Sequence, residues 1–182
     1  MTRLLHLDNA AATAIDFQEK LVPAMTARDD LLTAASKLTA GLRVKKVPLL
    51  VTQLYTKGLG ETVPAMREAL GSFTPIEKNT FSALKTEAYV NALQETGARQ
   101  IILFGIETHI CVEQTALQLL DDGYEVFVAA DCCSSRKASD RDIALQRMAQ
   151  AGAVVATGEA SLFELIDSSR SEGFKEISRI IK

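Results

Sequence analysis

The chain has 182 residues, of which 47% are hydrophobic and 24% charged, with a formal net charge of −3. That is enough apolar chain for one domain with a substantial core. The interspersed charges leave no basic patch for nucleic acid, and no apolar run approaches the roughly 20 residues of a membrane-spanning helix. No charged-then-apolar leader opens the sequence, and the three cysteines (Cys111, Cys132, Cys133) are few and odd in number. The adjacent pair is badly placed for a disulfide, so a reducing, cytoplasmic setting is expected.

Taken in order, Ala11 to Asp16 reads as a first strand ending in a carboxylate. Asp29 to Ala40 carries helical spacing at Leu32, Ala35 and Leu38, with Gly41 just past its end. Val47 to Thr52 is a second strand, Gln53 to Val63 a loop, and Pro64 to Leu70 a short helix with proline in its first turn. Pro75 to Lys78 is a third, very short strand, and Lys85 to Glu95 a helix stopped at Gly97. Ile101 to Phe104 has the β-branched content of a strand buried on both faces. Gly105 ends it, and a helix opens at Cys111 with apolar spacing through Thr115 and Leu119. Glu125 to Ala130 is a fifth strand, Asp140 to Ala151 a helix and Ala153 to Ala156 a sixth strand. Helices over Ser161 to Asp167 and Phe174 to Ile181 close the chain. Alternation of this kind predicts an α/β fold, a doubly wound parallel sheet with helices on both faces.

In such sheets ligands bind outside the carboxyl ends of the strands. The residues there are Asp16 with Gln18, Gln53, Lys78, Glu107 to Cys111, and Asp131 with Cys132. An acid, an amine and a thiol therefore arrive at one rim from three strands. Alone, Asp16 reads equally as a turn cap, Lys78 as a surface lysine and Cys111 as a packed core residue. Their convergence is what points to chemistry.

Asp16-Phe17-Gln18, the stretch Glu77 to Ser82, and Gly105-Ile106-Glu107-Thr108-His109-Ile110-Cys111 resemble the three signatures of the isochorismatase-like cysteine hydrolases. Thr52 to Gly60, Thr62-Val63-Pro64, Cys133-Ser134-Ser135-Arg136 and Phe174 to Ile177 are similar, within that superfamily, to the isochorismatase domain-containing proteins. The resemblance implies one hydrolase domain over residues 1–182, with six parallel strands in a three-layer, Rossmann-like sandwich. It implies a catalytic triad of Asp16, Lys78 and Cys111. Cys111 would attack a carbonyl carbon of a small amide or related acyl compound to give a thioester. Asp16 would take and return the proton, and Lys78 would hold the thiolate by charge. The resemblance also implies a cis peptide at Ile106–Glu107, aiming the Glu107 N–H beside that of Cys111 at an oxyanion.

Phe17, Gln18, Gln53, Tyr55, Phe81 and His109 are the candidate substrate-pocket residues. With only two histidines, His6 and His109, and no Asp-x-His pattern, neither a metal nor an organic cofactor is expected. The isochorismatases proper cleave an enol ether and commonly lack the cysteine, so Cys111 favours C–N or acyl hydrolysis. Ether hydrolysis and a non-catalytic scaffold that kept the fold stay open. The expected partners are a small-molecule substrate, no nucleic acid and no membrane. The apolar stripe Phe174, Ile177, Ile180 and Ile181, with Leu54 and Tyr55, predicts a homo-oligomer. Arg136 reads either as a contact to an anionic substrate or as a subunit contact. Finally, a helix N-terminus and Lys78 together, opposed by like-charge repulsion from Asp16 in one coupled set, predict that Cys111 is a thiolate well below the ordinary thiol pKa of about 8.5.

Overall fold

The computed structural model describes residues 4–182. One six-stranded sheet runs through it, every pair parallel, in the order β3-β2-β1-β4-β5-β6. The strands are β1 (Ala10–Ile15), β2 (Leu49–Leu54), β3 (Ile76–Lys78), β4 (Gln100–Ile106), β5 (Glu125–Ser134) and β6 (Val154–Ala156). The order reverses between β1 and β4, so the chain winds outward in both directions from that pair. The gap beyond their carboxyl ends is the topological switch point, where such sheets bind ligands.

Every residue of β1 and β4 is buried, as strands covered on both faces must be. On one face α1 (Arg28–Val44) packs against α3 (Pro64–Leu70), α7 (Gly158–Ile166) and α8 (Phe174–Ile181). On the other lie α4 (Glu87–Glu95), α5 (Glu113–Asp121) and α6 (Ala138–Ala151), with α5 against α6. Tyr89 of α4 reaches the central strand and shares a 2.8 Å hydrogen bond with Thr13 of β1, both side chains being fully buried. At Gly105 the two central strands touch: an added Cβ would lie 2.2 Å from the Ile15 carbonyl oxygen, and φ is +136°. No other residue fits there.

Several boundaries differ from the sequence reading. α1 runs through Gly41 instead of stopping before it, because that glycine faces Leu162 of α7, which a Cβ would meet at 2.6 Å. The loop after β2 contains one short helical turn, α2 (Thr56–Leu59). β5 continues past Ala130 to Ser134 through a bulge: its pairing to β4 jumps from Leu103↔Val128 to Gly105↔Cys133. α7 begins three residues early, capped by Thr157, whose hydroxyl accepts the Ala160 N–H at 3.1 Å. The apolar stripe of α8 is covered by its own chain. Ile177 is fully buried, α8 lies on α1 and α7, and the rings of Phe163 and Phe174 meet edge on at 6.4 Å. That stripe therefore does not carry the expectation of a homo-oligomer. Among the described residues no helix is long and apolar enough to cross a membrane.

Candidate active site

Three strand ends meet at the switch point. Asp16 follows β1 in a left-handed turn with φ 54°, its side chain fully enclosed. Lys78 ends β3 and is 2% exposed. Its Nζ donates to Asp16 Oδ2 at 2.6 Å and to the carbonyls of Thr80 and Phe81, each at 3.2 Å. The other carboxylate oxygen accepts the Thr52 hydroxyl of β2 at 2.7 Å. The ammonium thus gives its donors to one carboxylate and two carbonyls, which is how a buried lysine stays charged.

Cys111 lies in a single wide (π) turn, Thr108–Val112, that leads from β4 into α5. The helix proper begins at Glu113, two residues later than the spacing suggests. Both Ile110 and Val112 donate to the Glu107 carbonyl, which closes the turn around the cysteine. The Thr115 hydroxyl donates to the Cys111 carbonyl at 2.6 Å and accepts the Ala83 N–H at 3.1 Å. One side chain thereby joins the Cys111 turn to the segment that follows Lys78. Thr52 and Thr115 were both missed by the sequence reading. For Thr115 a signal existed: a threonine four residues after the cysteine on a helix bonds back to its carbonyl. Thr52 is brought to Asp16 by strand register, which one sequence does not reveal.

The expected low-pKa thiolate is not what this environment makes. Cys111 is 3% exposed, and burial pushes its thiol up to about 12 from an ordinary 9.0. The Asp16 charge raises it further, while Lys78 lowers it. The sequence argument weighed a helix terminus and a cation but not desolvation, and the cation is already committed to Asp16. The resting thiol is therefore neutral near pH 7, next to the Asp16–Lys78 pair. Cys132 and Cys133 are also raised, chiefly by burial, and all three are free thiols.

The other predicted residues divide. The Ile106–Glu107 peptide is cis, as expected, with Ile106 in the core. The Glu107 carboxylate is held by Arg136. Tyr55 and Phe81 stand at the rim, 52% and 51% exposed, on either side of Lys78 in sequence. His109 is partly exposed, with Nδ1 2.9 Å from the Ser135 hydroxyl. Phe17, in contrast, is core, its ring 5.9 Å from that of Phe104. Gln18 is fully buried and clamps the loop after β2: its amide accepts the Leu54 N–H and donates to the carbonyls of Leu54 and Gly60. Gln53 bonds Thr56 and Thr62 in the same loop. Gln18 and Gln53 thus hold the path of the loop after β2. Among the described residues no three His, Cys, Asp or Glu side chains gather as metal ligands.

A parallel sheet of this order, with helices on both faces, defines a doubly wound fold of the isochorismatase class. Residues 10–160 match the isochorismatase domain, and the chain belongs to that family. It is 41% identical over 167 residues to isochorismatase domain-containing protein 1 of Salmo salar, covering 92% of this chain and 59% of that relative. The chain thus spans under two thirds of that relative's length. Among solved structures it is similar to the MAR1 ribonuclease of Caenorhabditis elegans, with 36% identity and a TM-score of 0.92 over 98% of this chain and 92% of that one. It is also similar to the YcaC product of Escherichia coli, described as an octameric hydrolase of unknown specificity. There the identity is 25% and the TM-score 0.93, over 100% of this chain and 90% of that one.

Two outcomes follow from the electrostatics. Lys78→Met strands a buried carboxylate and lowers the unfolding free energy by about 3–5 kcal/mol in urea titrations. The double variant Asp16→Asn, Lys78→Met restores most of that loss; an equally large loss in the double variant would contradict the pairing. The raised thiols act at alkaline pH. Each binds its proton more tightly folded than unfolded, so its contribution is whole below about 9 and lost as pH rises through about 12. Thermal melts should therefore hold steady up to about pH 9 and fall above it, and Cys111→Ala should make that fall shallower.

Proposed function

We propose that the chain is a single hydrolase domain that cleaves a small amide or related acyl compound through a thioester on Cys111. The observation that carries this reading is the enclosed Asp16–Lys78 ion pair beside a neutral thiol at the switch point. As Cys111 Sγ attacks the carbonyl carbon, the thiol proton passes to Asp16 and the carbonyl oxygen becomes an oxyanion, taken by the backbone N–H groups of Glu107 and Cys111. Asp16 returns the proton to the leaving nitrogen, the C–N bond breaks and the thioester remains. Water, deprotonated by Asp16, then attacks the thioester. The acid leaves and the thiol regains its proton. Lys78 holds the Asp16 carboxylate in place at 2.6 Å and offsets the charge that moves onto sulfur. Tyr55 and Phe81 are placed to line the entrance.

No step uses a metal or an organic cofactor, and three free thiols suit a reducing, cytoplasmic setting. Assembly as a homo-oligomer is part of the proposal. It rests on the octameric Escherichia coli relative and the two exposed rim aromatics, and light scattering above monomer mass is its check.

A small-molecule hydrolase screen tests the chemistry. Amide substrates should be turned over in the presence of chelator, and Cys111→Ala should lose at least about 100-fold in kcat/KM. Retained activity in Cys111→Ala would instead favour enol-ether hydrolysis, which needs the acid but no thiol. Cleavage of RNA in place of amides would overturn the substrate class, and loss of activity to chelator would overturn the metal-free mechanism.

A further inference from the structure

Beside the nucleophile turn, one charged pair is left unused by the proposed reaction. Glu107 lies one residue before the turn Thr108–Val112, and its side chain is 8% exposed. Arg136 follows the end of β5, the strand beside β4, and its side chain is 62% exposed. The two are joined on one edge of the guanidinium. Arg136 Nε lies 3.1 and 3.0 Å from the two carboxylate oxygens, and its backbone N–H donates to Oε2 at 3.0 Å.

A lone surface arginine samples many rotamers and satisfies all five donors with water. Here the buried carboxylate fixes the Nε edge, while Nη1 and Nη2 have no protein partner among the described residues. Those two nitrogens form a fork held in place and turned to solvent, the geometry that recognises a carboxylate. The fork is anchored to the peptide that opens the nucleophile turn. Glu107 immediately precedes the turn that carries Cys111, and its carbonyl accepts the N–H groups of Ile110 and Val112 on either side of that cysteine. Nearby charge does not displace it from this task. Lys78 is committed to Asp16, and Arg141 donates to the carbonyls of Ala130 and Cys133. Asp140 lies toward His109, 3.9 Å from Nε2.

We infer that Arg136, positioned by Glu107, binds a carboxylate on the substrate. The substrate class is then an amide that also carries an acid a few bonds from the scissile carbonyl, such as a half-amide of a dicarboxylic acid or an N-acyl amino acid. This rests on the reading of Cys111 as nucleophile, and it makes Arg136 the residue that selects among amides.

The test needs no natural substrate. N-bromoacetylglycine and N-bromoacetylglycinamide are nearly isosteric thiol reagents that differ by one carboxylate. The carbon of that group lies roughly 5 Å from the reactive carbon, one trans-amide step of about 3.8 Å plus one C–C bond of about 1.5 Å. Native protein is treated with each, and Cys111 labelling is followed by peptide mass spectrometry. The acid should label Cys111 faster than the amide. Arg136→Met should lower the acid-to-amide ratio about tenfold or more; any general change in Cys111 reactivity acts on both reagents and cancels in the ratio. Arg136→Lys should restore only part of the ratio, since it returns the charge without the fork. If Arg136→Met fails to fold, Arg136→Gln, which still carries a donor for Glu107, replaces it in the same comparison. A ratio unchanged by removing the guanidinium overturns the inference and leaves the hydrolase reading standing. No Cys111 labelling by either reagent overturns the nucleophile itself, and both readings fall with it.

Discussion

The contact on which this site depends is the 2.6 Å ion pair between Asp16 and Lys78, both sealed from solvent. Burying two charges costs several kcal/mol apiece, and mutual attraction alone seldom recovers it. The surroundings supply the rest. Thr52 donates to the carboxylate, and the carbonyls of Thr80 and Phe81 accept from the ammonium. Satisfying one pair thus recruits the ends of β1, β2 and β3. The nucleophile turn is fastened to the same segment by Thr115, which links Cys111 to Ala83.

That pair also bears on the state of the Cys111 thiol. A cation facing a lone thiol would draw out its proton; here the cation is taken, and the thiol faces an anion in a dry setting. The balance is a raised pKa and a sulfur that is neutral at rest. Such a thiol is protected from adventitious oxidation, which acts on the thiolate. In the reaction proposed above it reacts once a bound electrophile makes transfer of its proton to Asp16 favourable. At the rim Tyr55 and Phe81 are exposed, and the loop from Leu54 to Gly60 is fixed by the buried amide of Gln18.

Much of this was legible in the sequence. Short β-branched runs alternating with amphipathic helices gave all six strands in place. The carboxyl-end rule then brought Asp16, Lys78 and Cys111 to one rim before any coordinates. What was illegible depends on contacts far apart in the chain. α1 passes Gly41 because of Leu162, 121 residues later, and β5 outlasts its apolar run because its bulged end pairs again with β4 at Gly105. Gln18 and Gln53 are candidates in the sequence because they follow strands at the carboxyl rim of the sheet. Their hydrogen bonds go instead to a loop whose path only the fold shows. The thiol pKa was misread for the same reason: charges can be counted from residue types, but burial cannot.

The central claim is that the resting site holds a neutral thiol next to an ionised Asp16, with the proton moved only when an electrophile arrives. Infrared difference spectroscopy of the S–H stretch tests it most directly, comparing native protein with Cys111→Ala near neutral pH. An S–H band belonging to Cys111, displaced in frequency by Asp16→Asn, is the predicted result. Absence of any Cys111 S–H band, meaning a thiolate already formed in the resting protein, would contradict it.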